Sequence, residues 1–163
     1  MKRIIKKGDF FKVELNSGEI RYFQFVDKDK TDLNGDVIRI FSRHYCVGGM
    51  ESIEEILEDT VECYMHTSIS MGIKLGFWSF YSKGVAPNNL DIFFRTSDDV
   101  GLYPNQHFVS SNWVIWKMNG ARQKVGKLPE RFHSTDLGGI YAPQHVIYRL
   151  EHGEAPDQYY PLY

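Results

Sequence analysis

With 163 residues, 42% of them hydrophobic and 25% charged, the chain is long enough for one domain with a sizeable core and has the composition of an ordinary globular protein. A net charge of −2 argues against a general nucleic-acid binder, and two cysteines, Cys46 and Cys63, are too few for a secreted disulfide framework. No apolar run approaches the ~20 residues needed to cross a bilayer and none follows the basic Met1–Lys7 segment, so the expected location is the reducing cytoplasm.

The first predicted element is a β-hairpin over Lys6 to Val26, KKGDFFKVELNSGEIRYFQFV. Val13 and Leu15 alternate with Lys12 and Glu14, and Asn16-Ser17-Gly18 supplies the turn. The answering strand carries Tyr22, Phe23 and Phe25, so apolar bulk falls on both of its faces and calls for cover on both sides. A polar loop from Asp27 to Asp36, with an Asn34-Gly35 turn signal, leads to a third strand over Val37 to Tyr45 that Gly48-Gly49 ends. These three strands predict a β-meander, much of an SH3-like barrel.

Ser52 to Asp59 reads as a short helix. Ser52 is a natural N-cap, Glu55 completes a capping box, and Ile53, Ile56 and Leu57 form one buried stripe. Strands are expected at Val61 to Ile69 and near Ile92 to Arg95. Between them Gly72-Ile73-Lys74-Leu75-Gly76-Phe77-Trp78 suggests a tight bend that feeds an aromatic anchor into a core. Val109 to Met118 is a strand holding Trp113 and Trp116, and Asn119 to Gly139 reads as a long loop or one with a short helical turn. Ile140 to Leu150 has β composition broken by Pro143, which fits an edge strand. The tail from Glu151 to Tyr163 is expected to be irregular and docked by its tyrosines. The expected class is therefore α+β and β-dominated: one domain over 1–163, an SH3-like N-terminal barrel or meander (1–50) extended by further antiparallel strands, with one or two short helices.

No catalytic pattern emerges. The histidines His44, His66, His107, His133, His145 and His152 are scattered, no C-x-x-C is present, and neither a nucleophile elbow nor a phosphate loop occurs. Neither catalytic residues nor a metal or other cofactor is expected. A Cys63 or Cys46 paired with a distant His stays open, although buried cysteine is commoner. Tyr22, Phe23 and Phe25 invite a second reading, a peptide- or nucleic-acid-binding barrel with Lys2, Arg3, Lys6 and Lys7 reaching phosphates. Against it, the aromatics are spaced to fill a core, and Asp27, Asp29, Asp32 and Asp36 match the basic N-terminus.

Three motifs in order, G-D-F-F-K-V-E-L-N-S-G, then S-I-E-E-I-L-E-D, then G-I-K-L-G-F-W, resemble the immunity protein 26 family of bacterial polymorphic toxin systems. The resemblance spans residues 6 to about 95, and residues 96–163 fall outside it. It implies a cytoplasmic antidote that binds one cognate toxin domain stoichiometrically and does no chemistry of its own. It carries over no catalytic residues and no common interface.

Charge distribution supplies a candidate face. Residues 46–100 carry three Lys/Arg against nine Asp/Glu, an acidic island in an otherwise balanced chain. Glu51, Glu54, Glu55, Glu58, Asp59 and Glu62, with Asp98 and Asp99, are the expected toxin-binding residues, complementary to a basic partner such as a nuclease.

Overall fold

A computed structural model describes residues 4–88, 90–102, 108–153 and 161–163. The fold is α+β and β-dominated, built on two mixed sheets. The larger has six strands. β1 (Phe10–Glu14), β2 (Ile20–Asp29), β3 (Gly35–Phe41) and β4 (Val61–Thr67) follow one another as an antiparallel meander. β5 (Ser79–Ser82) adds beside β1, and β10 (Ile140–Tyr141) pairs in parallel with β4. The smaller sheet runs β8 (Gln123–Gly126), β7 (Trp113–Lys117), β6 (Phe93–Ser97) and β9 (Asp136–Leu137), with β9 parallel to β6. The meander is thus present as expected, but it lies in an open sheet rather than a closed barrel, and two of the later pairings are parallel.

The expectation that the aromatic hairpin needs two covers follows from its alternation, and the structure supplies both. On one face Phe11, Val13, Leu15, Phe23, Phe25, Ile38, Ile40, Cys63 and Met65 meet two helices, α2 (Ile69–Leu75) and α3 (Pro143–His152), through Ile69, Val146 and Leu150. On the other, Phe10, Ile20, Tyr22 and Phe41 are covered by Ile56 of α1 (Ile53–Leu57). Further along that same face, Val26 and Val37 pack on Phe94 and Trp116 of the smaller sheet and on Ile92, which leads into it. Phe25 and Val26 are both buried, one on each side as strand alternation dictates, and the pairing with β3 shifts register between Phe25 and Asp27.

Several elements differ from expectation, each for a local reason. The residues around Gly72 form α2, not a bend. Ser68 caps it by accepting from the Met71 amide, and Gly76 ends it in the left-handed conformation (φ +79°). Ile140 to Leu150 is an edge strand only at Ile140–Tyr141. Pro143 opens α3 at its first turn, where a missing N–H costs nothing, and Val146 and Leu150 recur at helical spacing. Asn119 to Gly139 contains β8, a 3-10 turn at Glu130–Phe132 and β9. The third strand ends at Phe41, after which Tyr45 returns to bridge Ile20. In the tail, residues 154–160 lie outside the described set; Tyr163 packs at a tilt against His133 and meets Trp113 edge-on. No helix among the described residues is long and apolar enough to cross a membrane.

Candidate interaction surface and the buried polar pins

α1 forms where the capping box foresees it. Ser52 Oγ accepts from the Glu55 amide, and Glu55 Oε2 accepts from the Ser52 amide at 2.8 Å. The Ser52 amide, with the Ser52 hydroxyl behind it, holds the Glu55 carboxyl below the usual carboxylate range. Glu55 is therefore engaged in its own helix. Of the apolar stripe expected on α1, only Ile56 is fully buried; Ile53 is partly covered, and Leu57 is 44% exposed. The three share a helical face by spacing, but the core reaches only its Ile56 side, and Leu57 sits at the margin next to Glu54.

The remaining acidic candidates separate into two groups. Asp59 staples the end of β3 to the start of β4, accepting from Ser42 Oγ (2.9 Å) and from the Arg43 (2.6 Å) and Thr60 (2.7 Å) amides. Glu62 pairs with Arg21 and, at 3.4 Å, with Arg149 of α3. Asp98 pairs with Lys124 at 2.9 Å, and Asp99 accepts from Ser110 and Asn112. Those last two follow β6 on the smaller sheet, so the structure does not place them on one element with α1. Glu51, Glu54 and Glu58 differ: no lysine or arginine among the described residues pairs with them. Residues 46–50 preceding them are all exposed, with Met50 at 92% and Val47 at 58%. These apolar positions escape a sequence reading, because a Val and a Met flanking Gly48-Gly49 look like the end of a strand.

Two buried polar clusters are the residues that sequence reasoning missed. Asp29, read as part of a polar loop, is fully buried and its carboxylate takes four donors. Oδ2 accepts from His66 Nε2 (2.9 Å) and Trp116 Nε1 (3.0 Å), and Oδ1 accepts from the Thr31 (3.0 Å) and Asn119 (2.9 Å) amides. Burial raises its pKa, but the Asn119 amide, His66, Trp116 and the Thr31 amide together outweigh that and hold the carboxyl below its ordinary value. Asp32 sits on the other side of the imidazole, 3.6 Å from His66 Nδ1, and accepts from Arg122 (3.2 Å) and the Gly139 amide (2.7 Å). The cluster joins β2 and β4 of one sheet to β7 and the segments around it in the other.

The second pin is Arg21, fully buried in β2. Its guanidinium donates to the Phe41 carbonyl, the Leu150 carbonyl (3.2 Å), His44 Nε2 (3.1 Å) and Glu62. This ties α3 to the sheet. The Asp29 carboxylate and the Arg21 guanidinium are both shut off from solvent, and a buried, hydrogen-bonded charge of this kind is a structural connector.

A cavity of about 210 Å³ lies where β4, β9 and α3 diverge, lined by Cys63, Tyr64, Asp136, His133, Tyr141 and Arg149 among others. It tests the open cysteine–histidine reading. Burial pushes the Cys63 thiol up to about 12, so it is not a thiolate near neutral pH. His133 lines the same cavity, yet its Nε2 lies 3.2 Å from the Leu128 carbonyl and its ring packs at a tilt against Tyr163. Burial likewise raises Asp136, whose Oδ2 accepts from the Tyr64 amide at 2.8 Å. Cys46, in contrast, is exposed. A thiol reagent at pH 8 should therefore label one cysteine of the native protein at once and the second only on unfolding. Rapid labelling of both native thiols, counted by mass, would contradict the buried environment of Cys63.

Among the described residues no three His, Cys, Asp or Glu side chains converge as a metal site. No protein-family model, no curated protein and no solved structure matches the chain.

Proposed function

We propose that this protein is an immunity protein that binds a cognate bacterial toxin domain and neutralises it stoichiometrically in the cytoplasm. The observation that carries the reading is where the three resembling motifs fall. G-D-F-F-K-V-E-L-N-S-G is β1 and the turn that leads into β2, S-I-E-E-I-L-E-D is the capped α1 that closes one face of the β1–β2 hairpin, and G-I-K-L-G-F-W is the end of α2 with Trp78, which closes the other. The motifs together make one scaffold, with their conspicuous residues engaged in packing. This fits a protein whose work is done by its surface. It also weighs against the aromatic-platform reading, because Tyr22, Phe23 and Phe25 are buried and would have to unpack two cores before stacking on a base or a peptide.

Co-expression with any toxin domain encoded by a neighbouring gene is the test. The expected outcome is rescue of growth and co-purification of the two chains at a fixed ratio. Full toxicity in the presence of folded protein, with no complex recovered, would rule the reading out.

A further inference from the structure

We infer that the segment from Val47 through α1, which exposes Val47, Met50 and Leu57, carries the docking surface for the toxin domain, and that the toxin meets it with a basic face. The inference rests on the toxin-neutralising reading and names the surface and the partner chemistry. Val47, Met50 and Leu57 expose three apolar side chains within eleven residues. Met50 is almost wholly in solvent, and Leu57 has turned away from the core that Ile56 enters. A partner gains by desolvating them, in proportion to the apolar surface removed from water, and methionine is enriched at interface cores.

Electrostatics selects the occupant. Glu54, Leu57 and Glu58 share one face of α1 at helical spacing, and Glu51 lies between Met50 and the helix. The carboxylates of Glu51, Glu54 and Glu58 have no cationic partner among the described residues, whereas Asp59, Glu62 and Asp98 are engaged within the fold. Exposed apolar side chains interspersed with carboxylates that no lysine or arginine among the described residues pairs fit a partner with apolar side chains set among Lys and Arg, and like-charged surfaces are repelled from it. The opposite side of the sheet offers a useful contrast. α2 also exposes Met71, Ile73 and Leu75, but the groove beside it is lined by both Lys12 and Glu14, and Lys74 lies on the helix, so charge there selects no partner.

The experiment uses the full chain and the toxin domain that co-expression identifies, purified, with binding measured at low and at raised salt. Wild type should bind, with an on-rate that falls as salt rises. The pair Glu54→Lys and Glu58→Lys should slow association by about tenfold and flatten that salt dependence. Met50→Asp should leave the melting temperature unchanged and raise the off-rate by about tenfold or more. Leu75→Asp, on the far face, should change neither. If wild type neutralises the toxin but Met50→Asp and the lysine pair bind as wild type does, the surface is wrong and the function stands. Equal weakening by Leu75→Asp would also overturn the surface. If wild type neither binds nor rescues, the function falls and the docking surface with it.

Discussion

Asp29→Ala is expected to be among the most damaging single changes to this protein, lowering unfolding stability by about 3–5 kcal/mol, as removing one member of a buried charged cluster does. Four donors converge on that carboxylate from four separate positions in the chain: the His66 imidazole, the Trp116 indole and the Thr31 and Asn119 amides. Alanine leaves all four unpaired where water cannot reach them. An asparagine side chain at this position would keep the shape and one acceptor oxygen, so Asp29→Asn should fall between wild type and alanine. The pH dependence separates this role from packing. The folded-state carboxyl is held below its ordinary value, so its contribution is fully present above the unfolded-state pKa of ~3.9 and is lost as pH falls through the lower folded-state value. The stability gap between wild type and Asp29→Ala should therefore be widest at pH 7 and should narrow as pH is taken below about 4. Urea unfolding across that range measures it. A gap that does not change with pH would mean that the carboxylate charge contributes nothing.

That pin also marks the boundary of what a single sequence reveals here. The hairpin, the Asn16-Ser17-Gly18 turn and the Ser52–Glu55 capping box are legible because each depends on residues within a few positions of one another. The need for two covers is legible because Tyr22 and Phe23 point in opposite directions from one strand. Asp29 and Asp32 are not, because a buried carboxylate has the same letter as a solvated one. Their partners lie 37 and 90 positions away, at His66 and Arg122. The parallel pairs β4–β10 and β6–β9 are equally non-local, and neither two-residue strand has a period long enough to read. α3 escapes a sequence reading for a different reason. Val146-Ile147-Tyr148 has β composition, and Pro143 acts there as a helix starter rather than a strand breaker.

The candidate surface is half legible. The acidic island points to α1, but composition does not separate carboxylates that hold the fold together from those facing solvent. Asp59 and Glu62 close β3, β4 and α3 on one another, so reversing their charge would damage the scaffold and any binding together. Glu54 and Glu58 have no such duty. A mutational scan that treated all eight acidic residues as equivalent would confuse loss of fold with loss of partner, which is why binding tests belong on Glu54, Glu58 and Met50.

Gly72→Ala sets two physical effects of opposite sign against each other. Gly72 lies inside α2, where alanine is favoured over glycine by about 1 kcal/mol on helix propensity alone. A Cβ at that position, however, would sit 1.9 Å from Cζ2 of Trp78 and 2.0 Å from Cε2. The indole has little freedom to retreat: its Nε1 donates to the Ile69 carbonyl at 3.0 Å, and its ring stands edge-on to Phe23 in the core. Moving it breaks that hydrogen bond and disturbs the β2 side of the core, and overpacking of this kind costs about 1–3 kcal/mol. The steric effect should win, leaving Gly72→Ala less stable than wild type by about 2 kcal/mol. Trp78→Ala should cost more, about 3–5 kcal/mol, through the cavity it leaves. The two are directly coupled, so adding Gly72→Ala to Trp78→Ala should cost nothing further and should recover part of the propensity gain. Chemical denaturation of the four proteins closes the cycle. A Gly72→Ala protein as stable as wild type, or more so, would show that α2 tolerates displacement and that the Gly-Ile-Lys-Leu-Gly-Phe-Trp segment is not held by the fit of the indole against a bare backbone.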